Sequence, residues 1–418
     1  MVAKVFQIIT AVMTVSVTLI FFYQFAYLFV PVLFRKKRCK RGLPEEHTYA
    51  ILVAARNEEK VIGHLLDSIR NQKYPAEKIT VFVVADNCTD ATAEIARQAG
   101  AVVYERFNEE QIGKGYAINY LLSKIEEDGG WDRFEAFMIF DADNVLASDY
   151  VKQMNRLCDE GYQAFTGYRN SKNFGSSWIS AGHSLWYIHD SCHLSQSRMR
   201  LGLTCAVTGT GFGFTTELLK QLGGWNFFTL TEDIEFSTWC CARGIRIGYC
   251  HDAILFDEQP VKLKQSWLQR TRWAQGGIQV SLRYIKDYRM GLKKGGKVAW
   301  STIEALSLSL WGLGYGFLCG LMGFVTGILT YGFVGGLLGT LLGIVGSFCG
   351  MMAMAAWTMI TERKRIHATA WQKMKGLFSF PLFVLTWVLI SILSLFRKFE
   401  WIPIEHTEAI SVDTLENQ

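Results

Sequence analysis

The chain has 418 residues, of which 50% are hydrophobic and only 19% are charged, and its formal net charge is +5. A mean hydropathy of +0.14 is too apolar for an ordinary soluble protein, and the small charge without a nucleic-acid-binding motif argues against nucleic acid as a partner. The 10 cysteines form no C-x-x-C pair, so neither a disulfide framework nor a structural zinc site is indicated.

The first predicted element is a membrane-spanning helix. Residues 6–34 contain no charged side chain, and this run exceeds the roughly 20 residues that cross a bilayer. A cleaved signal peptide is the competing interpretation, but its apolar core would cover only roughly 7 to 15 residues before a cleavage site. The basic cluster 35–41 follows, and such clusters remain in the cytoplasm. Residues 1–42 are therefore predicted to form a membrane helix that ends in a basic cluster, which stops further transfer across the membrane. The domain that follows is predicted to be cytoplasmic.

Residues 43–262 are predicted to form one α/β domain. Short apolar runs typical of buried strands alternate with segments whose apolar residues recur at helical spacing. Because strands and helices alternate, we expect a sheet with parallel pairing and helices on its faces. The predicted strands cover 49–54, 79–85, 101–104 and 137–140, and the predicted helices cover 58–70, 90–100 and 116–125.

Acidic residues come directly after two of these strands. Asp86 follows the second strand, and Asp141-Ala142-Asp143 follows the fourth. Open α/β sheets bind ligands at the carboxyl ends of their strands, so these positions suggest a nucleotide cleft. The alternative is that each acid caps the following helix. Asp141 and Asp143, two residues apart, offer hard oxygen ligands suited to Mg²⁺ or Mn²⁺ shared with a diphosphate.

Lys114 lies between two glycines in a pattern that superficially resembles a phosphate-binding loop. The Walker pattern fails, because Asn108 and Gly115 occupy positions that require Gly and Ser or Thr. A lysine flanked by glycines can still bring a cation to phosphate oxygens, and a solvated surface lysine is the alternative.

Two further acids follow a glycine-rich segment, 208–213, and an aromatic turn, 225–228. A carboxylate beside a sugar cleft can take the proton of an acceptor hydroxyl, so Asp233 or Glu232 is a candidate general base. The same residues could begin a helix, with Thr231 as its cap and the acids complementing the helix dipole. Both roles are compatible.

Residues 263–300 are predicted to form amphipathic helices at the membrane interface. Within them, Arg272 can clamp a diphosphate, and Trp273 presents an apolar face to a sugar. Upstream, His183, His189 and His193 could ligate a metal, and His189 and His193 are spaced i, i+4. A helix on the membrane or beside the active site is the favoured interpretation for them.

Residues 301–398 are predicted to return to the membrane. A charge-free run, 305–360, is long enough for two crossings with a turn near 330–333, and 377–396 supplies a third apolar segment. Glycines spaced four apart on this run permit close helix packing. The basic residues of 362–365 and of 397–398 both favour the cytoplasm, which three crossings cannot satisfy, so the last segment is re-entrant or the charge rule fails there. Residues 399–418 form a tail.

Four motifs in this order resemble the family 2 glycosyltransferases, in the membrane branch that includes cellulose, hyaluronan and poly-N-acetylglucosamine synthases. The motifs are Ala54-Ala55-Arg56-Asn57-Glu58-Glu59 with Asp86, Asp141-Ala142-Asp143, Thr231-Glu232-Asp233 and Gln269-x-x-Arg272-Trp273. The resemblance covers about residues 48–290. It implies a GT-A fold, a Rossmann-like mixed sheet, and a reaction that inverts the anomeric centre.

The resemblance also implies roles for individual residues. Asp86 would meet the uridine base, Asp141 and Asp143 the metal and the diphosphate, and Asp233 would act as the base. On the donor side it adds Glu58 and Arg272, and on the acceptor side Gln269 and Trp273; the glycine-flanked Lys114 completes the candidate donor set.

The function so predicted is transfer of a sugar from a UDP-sugar to a growing polysaccharide at the cytosolic face of the cell membrane, coupled to export. Transfer of one sugar to a lipid acceptor is the alternative, and a non-enzymatic transporter or receptor is the alternative from another class. Because few polar positions are available to line a channel, a homodimer is a further option. The polar or aromatic positions expected to face a saccharide are Glu304, Trp311, Tyr315, Thr386 and Trp387.

Overall fold

The computed structural model describes residues 2–34, 45–396 and 414. The basic cluster 35–41, the basic residues at 397–398 and almost all of the predicted tail lie outside the described residues. The strands are β1 (Tyr49–Ala55), β2 (Ile79–Asp86), β3 (Val102–Arg106), β4 (Ala136–Asp141), β5 (Val145–Leu146), β6 (Ala164–Ser171), β7 (Phe212–Thr215) and β8 (Ile247–Asp257).

Helices surround the sheet and extend beyond it at both ends of the chain. They are α1 (Val2–Ala26), α2 (Val30–Leu33), α3 (Ile62–Arg70), α4 (Thr92–Gln98), α5 (Lys114–Glu127), α6 (Tyr150–Asp159), α7 (Trp178–His189), α8 (Gln196–Leu201), α9 (Thr216–Leu222), α10 (Glu232–Arg243), α11 (Leu263–Arg283), α12 (Ile285–Lys294), α13 (Gly296–Ser307), α14 (Leu310–Thr361) and α15 (Ala370–Ser394).

The strands form one mixed sheet in the order β3-β2-β1-β4-β7-β6-β8-β5. The four strands predicted from the sequence are β1 to β4, and they pair in parallel as expected. Antiparallel pairing enters with β7, which lies between β4 and β6, and with β5, which pairs with β8. The strands β1, β2, β4, β6 and β8 therefore all end at the same edge of the sheet.

Alternation along β1 explains why both faces of the sheet are covered. Ala50 and Leu52 belong to the core on one face, whereas Tyr49, Ile51 and Val53 belong to the core on the other face. Successive side chains of a strand point to opposite faces, and all five are fully buried. This strand lacks the polar alternation of an exposed sheet because helices cover both faces.

One predicted helix begins later than expected. The periodicity predicts a helix over 58–70, but α3 begins at Ile62. Asn57 adopts a left-handed backbone with φ of 56° just before the predicted range, residues 59–61 form a turn, and Val61 itself has a non-helical φ of −121°. The turn keeps Glu58 at the edge of the sheet instead of on a helix.

Three helices are long and apolar enough to cross a membrane: residues 3–26, 310–361 and 370–394. The predicted turn near 330–333 is confirmed, because Gly332 interrupts α14 with φ of 74°. The halves of α14 then fold back on each other, since a Cβ on Gly327 would lie 2.9 Å from the Cα of Gly336. The first half packs against α1, where Thr10 and Thr326 share a hydrogen bond of 2.7 Å.

The glycines spaced four apart do not pack helices together as expected. A Cβ added to Gly316, Gly320, Gly339 or Gly343 would meet no atom within 4 Å. These positions face the outside of the chain or a cavity, so within the described residues their close-packing role is not found. Of the other two glycines in the predicted series, Gly312 lies against the backbone of Ser307 and Gly335 against the Tyr331 side chain, while the glycines at 327 and 336 bring the two halves of α14 together.

A buried ion pair fastens the first membrane helix and α13 to the domain. Glu304 is 2% exposed, and it accepts hydrogen bonds from Arg198 Nε at 2.7 Å and from the Tyr27 hydroxyl. Arg198 lies within α8 and is also buried. This cluster therefore connects three parts of the chain that lie far apart in sequence.

We expect Glu304→Gln to destabilise the protein by about 3 to 5 kcal/mol, because the Arg198 charge would stay buried without its partner. Thermal unfolding of the detergent-solubilised protein, followed by size exclusion, measures this. Asp67→Asn is the control, since its pair with Arg70 is exposed and should contribute less than about 1 kcal/mol. Equal unfolding temperatures for the two variants would contradict the assignment.

Candidate active site

The ten residues singled out by the sequence line a single cavity of about 1570 Å³ at the carboxyl edge of the sheet. The cavity reaches from the ends of β2 and β4 to the membrane helices α14 and α15. The ten are Glu58, Asp86, Lys114, Asp141, Asp143, Glu232, Asp233, Gln269, Arg272 and Trp273.

Asp86 is the last residue of β2 and does not cap a helix. Its carboxylate accepts a hydrogen bond of 2.6 Å from Arg106 Nη1, and both side chains are buried. Arg106 Nη2 also donates to the Gln111 carbonyl at 2.8 Å. The pair fixes the wall of the cavity on the side of β2 and β3.

Lys114 is a cavity residue and not a solvated surface lysine. It begins α5 directly after Gly113, whose φ of 136° is accessible to glycine but not to other residues. Its ammonium group pairs with the Asp141 carboxylate and donates to the Gly209 carbonyl at 2.8 Å. Burial lowers the pKa of Lys114, but Asp141, Glu232 and Asp233 outweigh this effect, so the net shift of its pKa is upward.

The Asp141-Ala142-Asp143 turn is held from below by polar side chains. The Asp141 N–H donates to Thr210 Oγ1 at 2.9 Å, and the Asn144 amide donates to Asp257 Oδ1 at 3.1 Å. Lys172 Nζ donates to the carbonyl of Asp143 at 2.6 Å. These bonds fix the backbone and leave the Asp141 and Asp143 side chains on the cavity wall.

Asp141 and Asp143 fit a divalent cation as part of its ligand set. Their carboxylates are hard oxygen donors of the kind that Mg²⁺ and Mn²⁺ prefer, and both line the cavity. Among the residues that the structure describes, no group of three or more His, Cys, Asp or Glu could hold a metal. A metal here would therefore need further ligands from the substrate, such as diphosphate oxygens.

Glu232 and Asp233 form the first turn of α10, as the sequence suggests. Thr231 does not cap the helix through its side chain; its hydroxyl has no hydrogen-bond partner among the described residues. Burial raises the pKa of Glu232 to about 7, although Lys114 lowers it. Burial also raises the pKa of Asp233, against the effects of the Ile234 N–H and of Lys114.

Helix α11 passes directly over the start of α10. A Cβ on Gly276 would lie 2.5 Å from the Thr231 side chain, so glycine permits this crossing. Gln269, Arg272 and Trp273 thereby reach the same cavity as Asp233. The Oε1 atom of Gln269 is buried and has no hydrogen-bond partner within the described part of the chain.

The opposite side of α11 fastens the membrane helix α15 to the domain. Arg270 is fully buried and donates to Thr386 Oγ1 at 2.7 Å and to the Phe383 carbonyl at 3.2 Å. Its guanidinium also lies over the rings of Phe383 and Trp387. One helix therefore connects the catalytic cavity with the membrane segment.

Trp273 belongs to an aromatic group on the cavity wall. Its ring stacks on Trp387 with centroids 6.1 Å apart, and His183 and Tyr187 meet its edges. His183 bonds Ser266 at 2.7 Å, and burial lowers the pKa of this histidine well below its usual range. His183 thus lies on a buried helix beside the site, which is one of the uses that the sequence favours, whereas His189 and His193 lie against Thr358 and Thr361 of α14.

Two residues escape the sequence analysis. Arg169, near the end of β6, donates from Nε to Asp257 Oδ2 at 2.9 Å and lies over the Tyr187 ring. Asp257 ends β8 at the same edge as Asp86 and Asp141, so the strand-end rule could have found it. Arg169, Tyr187 and Asp257 all line the cavity close to Asp233.

The comparison with known proteins agrees with this geometry. Residues 44–276 match the family model "Glycosyltransferase like family 2". The chain belongs to this family. The family 2 domain therefore includes the strand-end acids, both acids of α10 and the Gln269 to Trp273 motif, while the membrane helices after α11 lie outside the match.

Three relatives illustrate how the family 2 domain is used elsewhere. A probable glycosyltransferase YdaM from Bacillus subtilis is 26% identical over 60% of this chain and 60% of its own. A beta-monoglucosyldiacylglycerol synthase from Nostoc is 31% identical, covering 59% and 53%. A poly-beta-1,6-N-acetyl-D-glucosamine synthase from Staphylococcus epidermidis is 27% identical, covering 63% and 59%. The match spans only about half to three fifths of these relatives.

A solved structure confirms the predicted fold. The mannosyltransferase PcManGT from Pyrobaculum calidifontis superposes with a TM-score of 0.54 and 17% identity, covering 94% of this chain and 99% of that one. The predicted GT-A class, a mixed α/β sheet with membrane-type helices beside it, is therefore correct. At this identity the likeness concerns the fold alone.

The position of Lys114 predicts a change in pH dependence. In Lys114→Met the cation that lowers the pKa of Glu232 and Asp233 is lost, so both pKa values rise further. The acidic limb of the pH profile of kcat/KM for sugar transfer should then move to higher pH, even if the maximum value of kcat/KM also changes. Lys124→Met, on the outer part of the same helix, is the control and should leave the limb in place. A limb that stays or moves to lower pH would contradict this electrostatic coupling.

Proposed function

We propose that this chain is an inverting glycosyltransferase that transfers a sugar from a UDP-sugar to an acceptor hydroxyl at the cytoplasmic face of a membrane. The observation that carries the proposal is the shared cavity, which is lined by the Asp141 and Lys114 pair, by Asp233, and by Trp273 stacked on Trp387 of α15. A donor, a base and an acceptor need this arrangement. A transporter or receptor would need no such set of carboxylates.

The donor half follows from the residues at the strand ends. Asp86, positioned by Arg106, would bind the uracil ring, and Glu58 lies on the same wall. Lys114 and Arg272 would hold the diphosphate oxygens, Lys114 as a point charge and Arg272 through paired N–H groups. Asp141 and Asp143 would share a Mg²⁺ or Mn²⁺ with that diphosphate. The bound metal would supply positive charge to the leaving diphosphate.

The chemistry requires one displacement. The acceptor oxygen attacks the anomeric carbon from the face opposite the diphosphate, the bond from that carbon to the diphosphate oxygen breaks, and UDP leaves with the electron pair. Asp233 takes the acceptor proton as the new bond forms. A single attack of this kind inverts the anomeric centre, and no enzyme nucleophile is needed.

Glu232 and Asp233 are suited to different tasks. With a pKa of about 7, Glu232 is largely protonated below neutrality and can then donate a hydrogen bond. Burial raises the pKa of Asp233 as well, but the Ile234 N–H and the charges of Lys114 and Arg169 act against this rise and favour the carboxylate. We therefore assign the base role to Asp233 and a supporting role to Glu232.

The acceptor half lies on the side of α11. Gln269, with its unpartnered Oε1, and Trp273 would orient the acceptor hydroxyl towards Asp233.

Relatives named for polysaccharide synthesis and for glycolipid synthesis both match this domain. Export of a growing polysaccharide would also require a polar passage between the membrane helices, either within the chain's own helices or within a homodimer. The basic residues after α1 support a multi-pass protein with a cytoplasmic domain.

Loss of a metal ligand should weaken donor binding and leave the protein folded. For Asp143→Asn we expect weak UDP binding in Mn²⁺ and strongly reduced UDP release during turnover, because one hard oxygen donor is gone. Titration of UDP with and without Mn²⁺ measures the binding. Asp132→Asn, a highly exposed carboxylate, is the matched control. Full wild-type activity in excess EDTA would refute the metal assignment.

Loss of the base should separate binding from transfer. Asp233→Asn should keep donor affinity and lose transfer by about 10² to 10⁴ fold, which is the usual contribution of a general base. Glu232→Gln should cost less. Single-turnover transfer and UDP binding, measured on both variants, provide the comparison. If Asp233→Asn instead loses donor affinity while bound donor still reacts, Asp233 is a binding residue and Glu232 becomes the base.

A further inference from the structure

The catalytic cavity does not end at Trp273. It continues between three membrane helices, along the first turns of α14, the second half of α15 and Phe21 of α1. The lining runs from Val384 on α15 to Phe396 just after it, and the part between Val384 and Ile392 alone covers about 12 Å of helix. We call this continuation the membrane arm of the cavity.

The membrane arm is apolar almost throughout. Its walls are formed by Leu, Val, Ile, Phe and Gly residues. The polar groups on these walls are the Ser391 hydroxyl and the Trp387 indole. No charged or amide side chain from α1, α14 or α15 lines the cavity in the part of the chain that the structure describes. The lining of the arm is therefore nearly as apolar as the hydrocarbon core of a bilayer, and within the described residues it lacks the polar groups that a channel for a hydrated sugar needs.

The polar residues expected to face a saccharide are used elsewhere. Glu304 pairs with Arg198, the Trp311 indole donates to the Ser281 carbonyl, and the Tyr315 hydroxyl bonds Ser16. Thr386 receives Arg270, so of the five positions only Trp387 lines the cavity. A saccharide in the arm would leave its hydroxyls without partners, which is unfavourable in an apolar environment.

The arm is also roomy and open to the side. A Cβ on Gly314 or Gly316 would meet no atom within 4 Å, so these glycines leave space that side chains would otherwise fill. Phe317 and Val388, on opposite walls, are 63% and 52% exposed in the isolated chain. At the level of helices that can cross a bilayer, such an opening faces lipid.

The inner end of the arm meets the catalytic groups. Trp273 and Trp387 stack at the junction, and the buried Gln269 Oε1 there has no partner among the described residues and can accept a hydrogen bond from a hydroxyl. A base such as Asp233 is useful to a hydroxyl, whereas a phosphate nucleophile is already ionised. The junction therefore suits a neutral hydroxyl headgroup whose apolar part remains in the arm.

We propose that the acceptor is a membrane lipid with a hydroxyl headgroup, whose hydrocarbon chain enters sideways from the bilayer and lies in the membrane arm between α14 and α15. The proposal rests on the proposed function and narrows it, from an open acceptor class to a lipid. It favours a lipid over a polysaccharide, the two acceptors that the sequence leaves open. A hydrocarbon tail loses no hydrogen bonds on moving from the bilayer into an apolar crevice, whereas a polysaccharide would lose the hydrogen bonds of its hydroxyls to water.

A photoreactive lipid tests the binding without relying on catalysis. The full chain in nanodiscs is mixed with a dioleoylglycerol analogue that carries a diazirine on one acyl chain, irradiated and mapped by mass spectrometry. We expect cross-links on residues 308–317 and 384–396. Gly316→Phe, which fills the arm from a position with free space, should reduce them by at least about tenfold.

Matched variants separate a filled arm from a general defect. Gly320→Phe lies one turn further along the same helix, where a Cβ also meets nothing, and it does not line the cavity. Val388→Trp has its control in Leu389→Trp, which is 51% exposed and outside the lining. UDP binding is measured on every variant. Cross-links that persist in both filling variants, or that map elsewhere in the wild type, would overturn the proposal.

Product analysis then identifies the acceptor class. Proteoliposomes with dioleoylglycerol and a panel of radiolabelled UDP-sugars should give label in the organic phase as a lipid carrying one sugar, lost in Gly316→Phe and kept in Gly320→Phe. Label in a water-soluble polymer, unaffected by Gly316→Phe, would contradict a lipid acceptor while leaving the glycosyltransferase intact. If the wild type binds no UDP in Mn²⁺, the proposed function fails, and the cross-linking result still decides whether the arm binds lipid.

Discussion

The Lys114 ammonium group lies among three carboxylates, and the site is organised around it. Asp141 touches it directly, and Glu232 and Asp233 act on it through the low-dielectric cavity. Burial raises the pKa of Glu232 and of Asp233, and without this cation both pKa values would rise further and favour the neutral acids, which cannot act as bases. The bond from Lys114 to the Gly209 carbonyl also ties α5 to the glycine-rich segment that precedes β7.

Helix α11 provides the second constraint because its two sides have different partners. Its Gly276 lies against Thr231 at the start of α10, while Arg270 reaches into α15. Helix α11 therefore contacts both the start of α10 and the helix α15. These two contacts place the charged half of the cavity, formed by strand ends, next to the apolar half, formed by α14 and α15.

Much of the donor half was predictable from the sequence, because strand-end chemistry is local. A buried-strand run followed directly by an acid is sufficient to find Asp86 and Asp141, and the same rule applied to β8 would have found Asp257. The pair of Arg169 with Asp257 could not be predicted, since it joins two strands 88 residues apart. Sequence spacing alone carries no signal for that contact.

The acceptor half was less predictable, because the direction of a side chain on a membrane helix depends on its neighbours. Tyr315 and Thr386 read as polar residues available for a ligand, but Ser16 and Arg270 bind them. The glycines of α14 suggested helix packing, whereas at Gly316 the same lack of a side chain leaves a crevice. Periodicity cannot distinguish these two uses of glycine.

The most direct test of the central claim is a cryo-electron microscopy structure of Asp233→Asn in a lipid nanodisc with a UDP-sugar and Mn²⁺. The account predicts the uracil against Asp86, the diphosphate between Lys114 and the two acids that follow β4, and the anomeric carbon open to residue 233 on the side of Trp273. A nucleotide bound elsewhere, or a sugar whose anomeric carbon faces away from residue 233, would contradict it.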